Sequence, residues 1–142
     1  LAFDDIPRFV GREDILQKIV DIRPEVIAYS AGTGEHKYYL KLNNIIKKKF
    51  PEIFTIMGGP HPTFYPECID KSTLDAICIG EGDEAFIDVL DALEKGKDIS
   101  NIENIHTKDR KNSVRPLYSD LDELPFPDRD LFYKTTDMAN CI

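Results

Sequence analysis

The chain predicts an α/β fold, a three-layer sandwich with a mainly parallel sheet, and three observations predict it. A short apolar run, a turn rich in Gly, Ser or Pro, and an amphipathic stretch with helical spacing follow one another three times, the pattern of repeated βα units. At 142 residues, with 42% hydrophobic and 31% charged side chains, the composition is that of one globular domain with a tail, able to bury a core without disulfide staples. The βα rhythm stops at Gly96, and an acidic, Pro-punctuated stretch follows. The chain therefore divides into a sheet domain over residues 1–98 and a hairpin with a linker over residues 99–142.

Taken in order, Ala2-Phe3 reads as the remnant of an edge strand, and Glu13 to Ile22 as a helix carrying Ile15, Leu16 and Ile19. Val26-Ile27-Ala28-Tyr29-Ser30 is the first clear strand. The turn Ala31-Gly32-Thr33-Gly34 leads from it into a helix from Glu35 to Phe50, with apolar positions at Tyr39, Leu42, Ile45 and Ile46. Pro51 separates that helix from the strand Ile53-Phe54-Thr55-Ile56-Met57. Pro60 and Pro62 exclude a helix crossing the next turn, and a short helix is expected at Glu67 to Lys71. Ala76-Ile77-Cys78-Ile79 is the third strand. After Gly80-Glu81-Gly82-Asp83, Glu84 to Lys95 is helical with Phe86, Val89, Leu90 and Leu93 facing the core. A sheet covered on both faces needs one more strand, expected upstream of residue 1. Asn104 to Lys108 and Ser113 to Pro116 pair as a hairpin around residues 109–112. Residues 120–128, Asp-Leu-Asp-Glu-Leu-Pro-Phe-Pro-Asp, read as a linker anchored by its Leu and Phe side chains.

Charge and cysteine content narrow the function. With 18 basic and 26 acidic residues the formal charge is -8, and the longest basic run, Lys47-Lys48-Lys49, ends a helix, so no stripe exists for a row of phosphates and nucleic acid is not an expected partner. No apolar run is long enough to span a bilayer and no leader precedes the first strand, which makes a cytoplasmic location the default. Cys68, Cys78 and Cys141 are widely spaced and read as free thiols, neither a disulfide framework nor a metal knuckle.

Ligands of open parallel sheets sit outside the carboxyl ends of the strands. Three turns poor in bulky side chains should open there: Ser30-Ala31-Gly32-Thr33-Gly34, Gly58-Gly59-Pro60-His61-Pro62-Thr63 and Gly80-Glu81-Gly82-Asp83. Glycine lets a backbone approach a large flat or phosphorylated ligand closely. A tight turn alone explains any one of them; three on one edge favour a pocket. His61 either contacts a ligand or fixes the loop by hydrogen bonding, and neither His36 nor Cys68 stands at a spacing that would make a metal set with it. Glu81 can accept hydrogen bonds from a ligand or from neighbouring turn amides and, with Asp83 and Glu84, can also favour the positive end of the following helix; the two roles are compatible.

The blocks Gly58-Gly59-Pro60-His61-Pro62-Thr63, Asp75-Ala76-Ile77-Cys78-Ile79-Gly80-Glu81-Gly82 and Asp120 to Asp128, in that order, resemble the N-terminal B12-binding domain of the radical-SAM superfamily. This is the type found in magnesium-protoporphyrin IX monomethyl ester oxidative cyclases and B12-dependent radical-SAM methyltransferases. The resemblance implies a Rossmann-like, flavodoxin-type sheet with cobalamin across its carboxyl edge and the nucleotide tail inserted among the strands. It places Ser30, with Ala31, Gly32 and Thr33, on the family's serine-bearing loop. Gly58 and Gly59, with Pro60, His61 and Thr63, fall on its Gly-Gly loop, and Gly80, Glu81 and Gly82 on its Gly-Glu-Gly loop. The Asp-x-His-x-x-Gly signature that supplies a lower axial histidine elsewhere is not in these residues.

Nor is the Cys-x-x-x-Cys-x-x-Cys triplet of a radical-SAM catalytic domain, so a [4Fe-4S] cluster and S-adenosylmethionine would belong to a downstream domain of the same chain. The expected role is to bind or position a corrinoid without catalysis. The alternative is a cofactor-free structural or substrate-gating domain, which large side chains in the groove would favour, Phe64 and Tyr65 being the candidates. A third possibility is a phosphate- or flavin-binding flavodoxin-like protein or a response receiver; the receiver would need paired acidic residues after the first strand and a lysine after the last, and the chain offers no convincing set.

Overall fold

The computed structural model describes residues 12–126. Strand-forming sequences begin each unit. Val-Ile-Ala-Tyr-Ser gives β1 (Val26–Ser30), Phe-Thr-Ile-Met-Gly gives β2 (Phe54–Gly58), and Ala-Ile-Cys gives β3 (Ala76–Cys78). Helices α1 (Arg12–Ile22), α2 (His36–Lys49) and α4 (Asp83–Glu94) alternate with them, a one-turn helix α3 (Pro60–Phe64) follows β2, and β4 (Ile105–His106) completes the sheet. Strand order is β1-β2-β3-β4. The first three strands are parallel, with Val26 opposite Phe54, Ser30 opposite Gly58 and Ile56 opposite Ala76, while β4 runs antiparallel to β3.

The period of two along each strand divides the apolar side chains between two cores. Tyr29, Met57 and Ile77 face Ile19 of α1 and Leu42 and Ile46 of α2. Ile56, Ala76 and Cys78 face Ala85 and Val89 of α4, together with Ile105 of β4. This is the Rossmann-like sandwich, an open sheet between two helical layers. Met57, Ile77 and Val89 are fully buried, each worth roughly 1.5–3 kcal/mol in surface removed from water.

Polar groups fasten the amino-terminal end. The Asp75 carboxylate accepts from the Thr55 amide at 2.7 Å and the Thr55 hydroxyl at 2.9 Å, and pairs with Lys47 of α2 at 2.7 Å. In the α2 layer the Tyr29 hydroxyl donates to Asn43 Oδ1 at 3.1 Å, and Asn43 Nδ2 donates to Thr73 Oγ1 at 3.0 Å. Burial pushes the Tyr29 phenol well above its ordinary pKa.

Several expectations are corrected. The prolines do not exclude a helix at 60–64: Pro60 and Pro62 occupy its first turn, where amides have no intrahelical acceptor to lose and the fixed φ suits a helix start. The short helix expected at 67–71 is a 3-10 turn at Pro66–Ile69. Leu90 is exposed rather than core, and Ala85 takes its place beside Val89. The hairpin turns earlier than residues 109–112: Thr107 N donates to Arg110 O at 2.8 Å, His106 bridges Lys111, and Asn104 N donates to Ser113 O at 2.9 Å. Residues 114–116 form no strand because the Arg115 amide donates to the Asn104 side chain instead of continuing the ladder. In the linker, Leu121 and Phe126 are exposed, Phe126 almost wholly so, and do not anchor it to the sheet domain. The suggested strand remnant at Ala2-Phe3, Cys141 and the linker beyond Phe126 lie outside the described residues.

Candidate functional site

The three small-residue turns meet at the carboxyl ends of β1, β2 and β3 and are tied to one another through their backbones. The Ala31 amide donates to Gly58 O at 2.9 Å, and the His61 amide donates to Ala31 O at 2.9 Å, joining the first turn to the second. Thr63 joins the second to the third, its hydroxyl donating to Gly59 O at 2.9 Å and accepting from the Gly80 amide at 3.1 Å. Close approach decides the residue at 59. Gly59 has φ +95°, and a Cβ there would lie 2.9 Å from Ala31 N, 3.1 Å from Ala31 O and 3.2 Å from Ser30 Oγ.

Beneath the turns lies a cavity of about 430 Å³, lined by Ala28, Ile56, Gly58, Gly59, Cys78, Gly80, Gly82, Asp83 and Phe86, with Tyr29 contributing to its wall. That volume is in the range of small-molecule sites. Its floor is the α4 face of the sheet. Parallel sheets are normally covered on both faces. Yet Ala28, in the middle of β1, is exposed while its partner Ile56 is buried, so among the described residues α4 leaves this part of the face uncovered. Glycine keeps the space open: a Cβ at Gly58 would stand 3.8 Å from Cys78 Cβ, and one at Gly82 would stand 3.6 Å from Cys78 Sγ. Burial pushes the Cys78 thiol up despite the opposing pull of Arg115, which keeps it a neutral, apolar part of the wall.

Of the residues expected at the ligand edge, Gly58, Gly59, Gly80 and Gly82 line the cavity. Ser30 and Thr33 lie exposed at the rim, Gly32 is half-buried there, and Ala31 is fully buried beneath it. Pro60 is exposed at the start of α3, and Thr63 acts as the cross-link described above. His61 lies outside the cavity, stacked on His36 with ring centroids 3.6 Å apart and against Tyr65 at 5.4 Å. Its Nδ1 is buried with no hydrogen-bond partner, so its backbone amide, not its ring nitrogen, fixes the loop. His36 Nδ1 itself contacts Thr33 O. Burial, then the neighbouring His36, holds the His61 imidazole below the ordinary histidine range, with Glu67 opposing.

Glu81 also lies outside the cavity. Its carboxylate accepts the Tyr118 amide at 3.0 Å, and its carbonyl accepts Asn104 Nδ2 at 2.6 Å. Phe64 and Tyr65 are exposed and do not enter the groove. Sequence reading missed Ala28, Cys78 and Phe86 as wall residues. The signal was the period-two alternation that puts Ala28, Ile56 and Cys78 on one face.

A sequence model of the family described as the B12 binding domain matches residues 2–90. The chain belongs to the B12-binding domain family. Its relatives include an uncharacterised methyltransferase of Pyrococcus horikoshii, 31% identical over 92% of this chain and 28% of the relative. An anaerobic magnesium-protoporphyrin IX monomethyl ester cyclase of Rubrivivax gelatinosus is 27% identical over 66% of this chain and 17% of the relative. A cobalamin-dependent radical SAM methyltransferase of Streptomyces tokunonensis is 28% identical over 53% of this chain and 12% of the relative. This B12-binding domain thus spans less than a third of the length of these relatives. No helix among the described residues is long and apolar enough to cross a membrane.

Proposed function

We propose that the carboxyl-edge cavity binds a corrinoid and that the domain presents it to a radical-SAM catalytic domain of a longer protein, of methyltransferase or oxidative cyclase type. The observation that carries the reading is the uncovered apolar patch at Ala28. Parallel sheets are normally covered on both faces, the patch adjoins the cavity, and glycines at 58, 59, 80 and 82 hold the space clear. The cavity is the size of a part of so large a ligand and suits its nucleotide tail. Ala28, Ile56, Cys78 and Phe86 would give that tail an apolar bed, and the glycine turns would let the backbone approach it.

A corrinoid, when bound, supplies a cobalt that can carry a methyl group. The residues of this chain bind, orient and desolvate. Cys78 remains a protonated wall group, and Thr63 holds the second and third turns at a fixed separation. A [4Fe-4S] cluster and S-adenosylmethionine would be held by the catalytic domain. The test is titration with hydroxocobalamin and methylcobalamin, followed by absorbance and calorimetry. Saturable one-to-one binding is expected; no binding at high cobalamin concentration would assign the domain a cofactor-free structural or substrate-gating role.

A further inference from the structure

Residues 113–118 leave the sheet and cross back over the third turn and the start of α4, where side chains far apart in sequence meet. Asn104 is fully buried in the left-handed conformation, φ +67°. It donates from Nδ2 to Glu81 O at 2.6 Å and accepts at Oδ1 from the Arg115 amide at 2.6 Å. The Arg115 guanidinium pairs with Asp88 and, at 3.5 Å, with Glu84. The Tyr118 hydroxyl donates to Glu84 Oε1 at 2.6 Å, and the Tyr118 amide donates to Glu81 Oε2 at 3.0 Å. Val114 packs over Gly80, its Cγ1 3.2 Å from where a Cβ would stand. Each neighbour of Glu81 in the chain lines the cavity, but Glu81 does not.

We infer that Glu81 is a positioning residue that holds the segment leading out of the domain, rather than a ligand contact. With both its carbonyl and its carboxylate engaged by residues 104 and 118, the turn whose flanking glycines border the cavity also fixes the direction in which the chain departs toward Phe126. The charge arrangement supports this. Asp83, Glu84 and Asp88 make the start of α4 acidic, and Arg115 is the cation that lands on it. Only the affinity arm of the test below rests on the corrinoid reading.

The test is hydrogen exchange across residues 113–120 of the full chain, paired with hydroxocobalamin titration, for Glu81→Ala, Glu81→Gln and Tyr118→Pro. Glu81→Ala is expected to speed exchange across 113–120 about tenfold while the affinity stays within about threefold of the parent. Glu81→Gln, which keeps an acceptor oxygen for the Tyr118 amide, restores most of the protection. Unchanged exchange in Glu81→Ala, with or without a loss of affinity, overturns the inference. If exchange and affinity both change, Tyr118→Pro decides, because it removes both ties of residue 118, its amide to Glu81 and its hydroxyl to Glu84, and leaves the Glu81 carboxylate in place. Loss of affinity there too shows that the effect runs through the segment; unaltered affinity shows that the carboxylate meets the ligand, and the inference fails. A parent chain that binds no cobalamin would refute the corrinoid reading while the exchange arm still decides the role of Glu81.

Discussion

Replacing Gly59 by alanine isolates the turn after β2 where it is tied to the turn after β1. At φ +95° and ψ -173° the backbone lies in a region open essentially to glycine alone, at a cost of about 1–3 kcal/mol for any other residue. The new Cβ would also stand 2.9 Å from Ala31 N and 3.1 Å from Ala31 O. Those atoms cannot yield without weakening the bonds from Ala31 N to Gly58 O and from His61 N to Ala31 O, each worth about 0.5–1.5 kcal/mol net. Together the loss is about 3–5 kcal/mol, a large share of the roughly 5–15 kcal/mol that holds a domain folded. For a domain of this size it lowers the melting temperature by about 10–15 °C. Thermal melts by circular dichroism with urea denaturation measure it. Gly34→Ala is the control, since nothing lies within 4 Å of a Cβ there, and it should stay within about 1 kcal/mol of the parent. A Gly59→Ala chain melting within about 3 °C of the parent would refute the described turn.

Gly58→Leu separates binding from folding. Its Cβ meets Cys78 only at ordinary contact distance, so the melting temperature should move by less than about 5 °C, while the side chain fills the cavity and weakens hydroxocobalamin binding at least tenfold by calorimetry. Asp75→Ala leaves the buried Thr55 amide and hydroxyl without their shared acceptor and should cost about 3 kcal/mol in urea unfolding; a loss below about 1 kcal/mol would mean that the network is not formed. His61 gives stability a pH dependence. Because burial lowers its folded-state pKa, the unfolded chain binds more protons between that value and about 6.5, so stability falls on acidification through that window, by at most about 1.4 kcal/mol per pH unit. Urea midpoints between pH 7 and pH 5 should fall less steeply in His61→Phe than in the parent, and equal slopes would show that His61 contributes nothing.

The strands and long helices were legible because local signals agree. Pro51 and Gly96 end helices where α2 and α4 stop, give or take a residue or two, and short continuous apolar runs bounded by turn residues mark β1, β2 and β3. The prolines at 60 and 62 misled because the rule against helical proline concerns helix interiors, and both fall in a first turn. The glycine half of the cavity could be read from the turns. The apolar half was less legible: alternation puts Ala28, Ile56 and Cys78 on one face, but with Phe86 they have the pattern of ordinary core residues, and that α4 does not cover Ala28 is a matter of tertiary placement. The partners of Glu81 were out of reach for a related reason. Its partners Asn104 and Tyr118 stand 23 and 37 residues away, and no local pattern announces hydrogen bonds of that span.

The bare patch at Ala28 also bears on the folding equilibrium of the domain. A molecule that seats there is held by the native chain and not by the unfolded one, so it acts as a detachable part of the core and draws the population toward the folded form by mass action. At a free concentration a hundred times its dissociation constant the gain is about 2.7 kcal/mol, comparable with burying one more isoleucine for good. The melting temperature of the chain therefore becomes a gauge of occupancy, rising with the logarithm of ligand concentration, and it serves equally for a ligand with no colour of its own.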